Sequence, residues 1–290
     1  MEGGPPAALH RFQPSESQAA IQAFPIDADA EPTLHPFLIL LAVITGLVAG
    51  SFVNVVAHRI PLGRSVVRPA SACPRCGSSI SARDNIPVFG WLVLRGRCRA
   101  CREPISVRYP VVEAAAGLLF LVTVEVVGLR WVLPAYLWFG GVTMALVLTD
   151  LDHKRLPNRI VYPGVVVGAA LLGAGSVADM SWLSFGRALG GGAVYFGGLY
   201  LLALIARGGF GMGDVKMAAL LGLFTAYVSW RVLAAAVFLA FGIGGVVAIG
   251  LMVLRKRNRK DEIPFGPSMI FASWIAVAYG ETLVAWWLRR

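Results

Sequence analysis

The chain has 290 residues, of which 57% are hydrophobic and 14% are charged, and its mean hydropathy is +0.69. A soluble domain carries about 25% charged residues, so most of this chain is expected to lie in a lipid bilayer. The net charge of +10 indicates membrane topology rather than nucleic-acid binding, because no soluble basic domain or aromatic platform accompanies it. Membrane lipid is therefore an expected partner, and nucleic acid is not.

The first 35 residues differ in composition from the rest of the chain. They contain five acidic residues, one arginine and several prolines. No basic segment leads into an apolar one, as it would in a signal peptide. We interpret residues 1–35 as an extracytoplasmic acidic tail without regular structure.

Apolar stretches recur through the remaining chain at about 20 residues each, the length with which a helix crosses a bilayer. We predict a first transmembrane helix at 36–57, a loop domain at 58–110 and a seven-helix membrane domain at 111–290. The fold class is then all-α, a polytopic membrane protein of about eight transmembrane helices. The seven later helices are predicted at 111–128, 131–149, 159–178, 185–206, 212–229, 231–254 and 267–287.

Basic residues concentrate in alternate loops. The 58–110 segment carries ten arginines against Asp84 and Glu103, and the next alternate loops hold most of the other Lys and Arg residues. Loops rich in these residues stay in the cytoplasm. The 58–110 domain is therefore predicted to be cytoplasmic and the N-terminal tail to lie outside. Arg289 and Arg290 fall on the opposite side and depart from the pattern.

All four cysteines lie in the loop domain, as the pairs Cys73/Cys76 and Cys98/Cys101. Two Cys-x-x-Cys turns place four thiolates around a tetrahedral ion, which predicts structural Zn²⁺, and four sulfur ligands leave no open position for catalysis. Two disulfides are the alternative, but a cytoplasmic loop lies in a reducing compartment.

Two aspartates stand where apolar helices meet a loop. Asp150 lies at the end of a long apolar stretch that Pro157 is expected to stop, and Asp214 follows a glycine-rich approach containing Gly211 and Gly213. Both fall on the predicted cytoplasmic side. Two close carboxylates sharing one proton can hydrolyse a peptide bond, because one activates water while the other donates to the carbonyl oxygen. The residues alone leave open a structural role, with Asp150 ending one helix and Asp214 capping the next.

These motifs in their order resemble the type IV prepilin peptidases, a bacterial family of GxGD-type aspartyl proteases. The resemblance covers roughly residues 36–287. It is carried by Gly50 to Pro61, the two cysteine pairs, Asn85 to Pro87, Ile105 to Pro110 with Glu113, Asp150 to Pro157, Gly211 to Lys216, and Pro264 to Pro267.

The resemblance implies a membrane endopeptidase that removes the leader from type IV prepilins or type II secretion pseudopilins. Cleavage would follow a glycine on the cytoplasmic side of the inner membrane. Methylation of the new N-terminus with S-adenosylmethionine is implied as well, although no glycine-rich nucleotide loop follows a strand in this chain. The family's catalytic aspartates are the one seven residues before the Leu-Pro proline and the one in GxGD. At those positions this chain has Asp150 and Asp214.

Supporting roles are assigned to Gly211, Gly213, Lys216 and Glu113. Lys216 either keeps Asp214 ionised or places its ammonium in interfacial water. Glu113 contacts the loop domain or the leader, or only favours the N-terminus of its own helix.

Asp152 is the rival of Asp150 for the first catalytic role. It lies two residues further from the apolar stretch, next to His153 and Lys154, and is expected to be better solvated. His58 and His153 have no evident partner and are interpreted as interfacial residues.

Other functions remain as alternatives. A protease without methylation and a presenilin-like peptidase that cuts within transmembrane segments are the enzymatic ones. A non-enzymatic assembly factor would use the cysteine domain for docking. A transporter would relay protons through its carboxylates, but both aspartates lie at one side of the membrane and no discontinuous helices mark a midplane site.

Overall fold

The computed structural model describes residues 34–205, 211–253 and 265–289. The acidic tail up to residue 33, most of the glycine-rich approach and the basic loop at 254–264 lie outside these residues. The described residues form one 3₁₀ helix, Ala82–Asn85, and nine α-helices: α1 (Leu34–Arg59), α2 (Phe89–Val93), α3 (Arg108–Val127), α4 (Leu133–His153), α5 (Asn158–Ala178), α6 (Trp182–Ile205), α7 (Met212–Val228), α8 (Trp230–Val253) and α9 (Gly266–Leu288).

The predicted all-α membrane fold with a small loop domain is confirmed. Among the described residues, seven helices are long and apolar enough to cross a membrane, namely α1, α3, α4, α5, α6, α8 and α9. The remaining predicted span corresponds to α7, which has only 17 residues and is about 26 Å long at 1.5 Å per residue. Most of its side chains are buried by neighbouring helices.

The long helices alternate in direction and form a bundle with two ends. We call the end that carries residues 60–107 and the α4–α5 turn the proximal end. The α3–α4 and α7–α8 turns lie at the opposite, distal end. Because α4 reaches the proximal end at its last turn and α7 begins there, Asp150 and Asp214 lie at the same end of the bundle.

The boundary between the loop domain and the second membrane helix differs from the prediction. The span expected to begin at 111 begins at Arg108, so Pro110 lies inside the first turn of α3. Proline is tolerated there, because the first backbone N–H groups of a helix have no intrahelical acceptor. The Asn54 side chain also donates to the Tyr109 carbonyl over 3.4 Å and joins α1 to this turn.

Glycine allows two pairs of helices to approach closely. A β-carbon at Gly50 of α1 would lie 2.7 Å from the Ala116 β-carbon of α3, and one at Gly222 of α7 would lie 2.5 Å from the Gly191 carbonyl oxygen of α6. Such contacts bring backbones together in membrane proteins, where burial of apolar surface against lipid gains little. The α1–α3 and α6–α7 pairs are accordingly among the most extensive contacts in the bundle.

Aromatic packing connects α4 with α7 in the core. The buried Tyr136 hydroxyl donates to the Phe224 carbonyl over 3.0 Å. The Phe139 and Phe224 rings stack with centroids 4.3 Å apart. The two helices that carry the candidate catalytic aspartates are therefore fixed against each other through the middle of the bundle.

The distal end of α7 is capped by an arginine from α6. The half-buried Arg187 guanidinium donates to the carbonyls of Ala226, Tyr227 and Val228 over 2.7, 2.6 and 2.7 Å. The last carbonyls of a helix have no intrahelical donor and carry partial negative charge, so a cation is favoured there.

Candidate active site and metal centre

Asp150 lies in the last turn of α4 and is only 6% exposed. Its Oδ2 atom is buried and has no hydrogen-bond partner among the described residues. Buried carboxylate oxygens are nearly always hydrogen-bonded in folded proteins, so an exception calls for an explanation such as catalysis.

The α4 helix ends in a way that the sequence analysis did not anticipate. Lys154 takes a left-handed conformation (φ 50°), and its N–H donates to the Asp150 carbonyl over 2.8 Å. This is a common helix C-terminus, and it ends α4 at His153, four residues before Pro157. The expectation that Pro157 stops the helix was wrong, because Pro157 instead precedes α5 and accepts the N–H of Ile160 over 2.9 Å.

Asp214 is the third residue of α7, directly after the part of the glycine-rich approach that the structure describes. A β-carbon at Gly213 would lie 3.1 Å from the Leu156 β-carbon, which is tighter than most packing contacts. Gly213 therefore lets the first turn of α7 press against the α4–α5 turn. A β-carbon at Gly211 would meet only the Asp214 carboxylate at 3.4 Å, an ordinary contact.

Gly266, the first residue of α9, lies between the two aspartates. A β-carbon built on Gly266 would be 2.7 Å from Asp150 Oδ2 and 3.6 Å from Asp214 Oδ1. An oxygen from each carboxylate thus lies within 3.6 Å of a single point. Hydrogen-bond reach through one water is what a general acid–base pair requires. The sequence analysis included Gly266 in a matching motif but did not place it in the site.

Asp152 is engaged elsewhere. Its two carboxylate oxygens accept bidentate hydrogen bonds from Arg108 at the start of α3, at 2.8 and 2.5 Å. Both side chains are partly exposed, at 30% for Asp152 and 43% for Arg108. This ion pair connects the end of α4 to the edge of the loop domain and gives Asp152 a structural role in holding the two together.

Lys216 and Glu113 form hydrogen bonds to residues other than Asp150 and Asp214. The Lys216 ammonium donates to Asn158 Oδ1 over 3.1 Å and lies 5.8 Å from the centre of the Tyr162 ring, so it connects α7 with α5. The buried Glu113 Oε2 accepts the Val88 N–H over 2.7 Å. Glu113 therefore holds the loop domain to α3, one of the contacts considered for it.

The four cysteines converge on one point in the loop domain. The Sγ atoms of Cys73, Cys76, Cys98 and Cys101 all lie within 4.8 Å of one another, and those of Cys73 and Cys101 are 3.7 Å apart. A tetrahedral ion with Zn–S bonds of about 2.3 Å separates its sulfurs by about 3.8 Å. The cluster has the right chemistry and dimensions to hold a metal ion.

The two cysteine turns have the same backbone conformation. In each, the residue after the second cysteine donates its N–H to the carbonyl of the first, over 2.9 Å from Gly77 and 3.0 Å from Arg102. Both residues take a positive φ, 70° for Gly77 and 60° for Arg102. Backbone N–H groups of Cys76 and then Arg75 lower the pKa of the Cys73 thiol to about 6, which favours the thiolate that binds metals.

Short contacts hold the rest of the loop domain around this cluster. The Arg99 guanidinium, next to Cys98, donates to both carboxylate oxygens of Asp84 at 2.8 and 2.6 Å. This pairing lowers the pKa of the Asp84 carboxyl to about 2. Arg75 of the first cysteine turn pairs with Glu103 after the second. The ion pairs thus fasten one turn to the 3₁₀ helix and the two turns to each other.

Comparison with known proteins places the chain in one family. Residues 44–127 match the family model described as the bacterial peptidase A24 N-terminal domain, and residues 137–249 match that of the type IV leader peptidase family. No solved structure matches the chain.

Several relatives match over most of their length, and each is named prepilin leader peptidase/N-methyltransferase. The protein from Stutzerimonas stutzeri is 33% identical over 87% of this chain and 94% of its own. The protein from Aeromonas hydrophila is 33% identical over 86% and 93%, and the one from Myxococcus xanthus is 38% identical over 78% and 69%.

Proposed function

This chain belongs to the type IV leader peptidase family, and on that premise we propose that it is a membrane aspartyl endopeptidase. It removes the leader peptide from type IV prepilins or type II secretion pseudopilins, cutting after glycine. The observation that carries the proposal is the position of Asp150 and Asp214 around a single point beside Gly266.

The proposed mechanism uses one water and two carboxylates. The ionised aspartate takes a proton from the water, whose oxygen attacks the scissile carbonyl carbon. The protonated aspartate donates its proton to the carbonyl oxygen. When the tetrahedral intermediate collapses, the C–N bond breaks and the leaving nitrogen receives a proton. The products are a free carboxylate on the leader and a new amino terminus on the substrate.

Substitution of each aspartate tests this assignment. Membranes containing the chain are incubated with a candidate prepilin, and the N-terminus of the product is sequenced. Asp150→Asn and Asp214→Asn should each lower cleavage by at least about 100-fold while the protein accumulates normally. Asp179→Asn, which changes a carboxylate at the distal end, is the matched control. Pilus assembly that survives substitution of both aspartates would favour a non-enzymatic assembly factor.

The membrane orientation is part of the proposal. The proximal end carries the loop domain, which is rich in arginine. This end therefore faces the cytoplasm, and the distal end faces outward. Cleavage then occurs at the cytoplasmic face of the bacterial inner membrane. A protease that cannot cross the membrane should cut within residues 60–107 only in inside-out vesicles.

We propose Zn²⁺ as the ion at the four cysteines, with a structural role. Four sulfur ligands suit zinc and leave no position for a catalytic water, so the ion stabilises the fold of residues 60–107. Metal analysis of the purified protein should find one zinc per chain, and serine substitution of Cys98 should lower that content. Freely alkylated thiols in a metal-free, folded protein would contradict the proposal.

N-methylation of the new N-terminus with S-adenosylmethionine is proposed from the names of the relatives alone. The described residues show no arrangement that we can assign to the methyl donor, since the four cysteines suit a metal and no strand-loop-helix nucleotide site is present among them. Transfer of a radiolabelled methyl group to a cleaved pilin tests the proposal. Cleavage without transfer would identify a protease-only member of the family.

A further inference from the structure

An apolar groove opens on the membrane-facing side between α6 and α8. It has a volume of about 880 Å³, and its walls include Tyr195, Gly198, Trp230, Phe238 and Gly242. The groove exists because α6 packs mainly on α7 and α8 mainly on α9, so that α6 and α8 barely touch each other. Its α8 wall runs from residue 230 to 242, a length of about 18 Å.

Both walls of the groove lead to the catalytic pair. On the α8 wall, the Phe241 ring lies with its centroid 5.4 Å from that of Phe265. Phe265 directly precedes Gly266, which separates the two aspartates. On the α6 wall, Tyr195 is 5% exposed and its β-carbon packs against Gly222 of α7, the helix whose first turn carries Asp214.

Two glycines in the groove have no explanation in the packing of this chain. A β-carbon added to Gly198 or to Gly242 would have no neighbour within 4 Å. The fold itself therefore does not require glycine at either position, in contrast to Gly191 or Gly222. Small residues on a membrane-facing surface let another helix backbone approach closely.

From these observations we propose that the groove binds the apolar transmembrane helix of the substrate, with the peptide bond to be cut at its cytoplasmic end. This inference rests on the proposed function and names where the substrate lies. A lipid chain would also fill an apolar groove, but it offers the carboxylates at the groove's end no bond to act on. A substrate helix in the groove would present its first turn to Asp150 and Asp214.

Filling the groove tests the proposal. Gly198→Leu and Gly242→Leu place a large side chain in the groove, and the β-carbon of each meets no atom of the chain within 4 Å. Gly197→Leu and Gly245→Leu are matched controls, because these neighbours also have no atom within 4 Å of an added β-carbon but do not line the groove. The reconstituted variants are given two reporters that have the same leader and the same glycine at the cleavage site. In one reporter a Leu/Ala helix of about 20 residues follows the site, and in the other a short soluble peptide does.

The groove variants should cleave the membrane-anchored reporter at least tenfold more slowly, with unchanged cleavage of the soluble one and unchanged controls. Equal cleavage of the anchored reporter by all variants would overturn the proposal that the groove binds the substrate helix. An equal loss of cleavage on both reporters would also overturn it, because such a loss indicates damage to the catalytic pair. If the wild-type protein cleaves neither reporter, the proposed function is overturned, and so is the proposal that the groove binds the substrate.

Cross-linking distinguishes a substrate helix from lipid. Phe238 lines the groove and is 81% exposed, so a photo-reactive benzoylphenylalanine at this position faces the occupant. In an Asp150→Asn background the cross-link should form to the anchored reporter. Cross-linking to lipid alone in the presence of that reporter would overturn the proposal.

Discussion

Gly266 lies so close to Asp150 that a β-carbon on the glycine would be 2.7 Å from the carboxylate Oδ2 atom. The two residues come from the start of α9 and the end of α4, more than 100 positions apart in sequence. The contact means that the backbone of α9 forms one side of the proposed catalytic site. The position of the Asp150 carboxylate therefore depends on the lack of a side chain at 266.

Gly266→Ala should therefore inactivate the protein without unfolding it. The added methyl group displaces a flexible carboxylate rather than backbone, so the fold is retained. Misplacement of a catalytic group by about 1 Å costs about 100-fold in rate. Cleavage of a prepilin in membranes measures the effect. Gly186→Ala is the control, because a β-carbon there has no neighbour within 4 Å. Full activity of Gly266→Ala would show that Asp150 does not need its present position.

Asp152→Asn should weaken the structure slightly and leave catalysis intact. The substitution removes one charge from the Arg108 ion pair, and partly exposed pairs contribute about 0.2–1 kcal/mol. A thermal unfolding series with Asp152→Asn, Arg108→Gln and the double variant isolates this coupling. Abolished cleavage in Asp152→Asn at unchanged stability would instead make Asp152 the catalytic residue.

The two cysteine turns should respond in opposite ways to substitution at their left-handed residue. Gly77→Ala forces a side chain into a positive φ and should cost about 1 kcal/mol of domain stability. Arg102→Gly relieves the same strain and should raise domain stability. The increase should be smaller than the loss in Gly77→Ala, because glycine loses more chain entropy on folding. The chelator concentration that releases the metal measures both effects. Equal responses of the two variants would contradict the matched conformation of the turns.

Glu113→Ala should loosen the loop domain from the membrane bundle. The substitution leaves the Val88 N–H without its acceptor, and for this partly buried contact we expect a cost of about 1 kcal/mol. Val88 also has a positive φ of 61°, which is unfavourable for a β-branched residue, so this turn depends on the contact. Hydrogen exchange at Val88 and proteolysis within 60–107 should both accelerate. Glu113→Gln keeps a carbonyl acceptor and should show a smaller effect.

Several features were accessible from the sequence because each depends on a local pattern. Hydrophobic length located the membrane helices, and the Cys-x-x-Cys spacing predicted a cluster of four thiols. The preference for Asp150 over Asp152 came from the spacing that the resemblance implies and from expected solvation. It stays a prediction, and the Arg108 ion pair is a further contact that favours it. Arg108 lies 44 residues from Asp152, so this contact was not visible in the sequence.

The features that sequence reasoning missed depend on tertiary contacts. The five-residue helix α2 is too short to show hydrophobic periodicity, and its start is held by Glu113 from another element. The end of α4 was assigned to Pro157 because proline is a strong breaker, whereas a left-handed Lys154 has no comparable signature. The role of Gly266 could have been suspected only from its place in the Pro264–Pro267 motif.

The arginine cap on α7 fixes the axial register of the catalytic helix. Arg187 holds three consecutive carbonyls at the far end, and Gly213 seats the near end on Leu156. A slip by one helical turn, about 5.4 Å, would move Asp214 away from Asp150 and break all three bonds to Arg187 together. Contacts at both ends of α7 therefore oppose an axial shift of this helix, and the Arg187 bonds couple its register to that of α6.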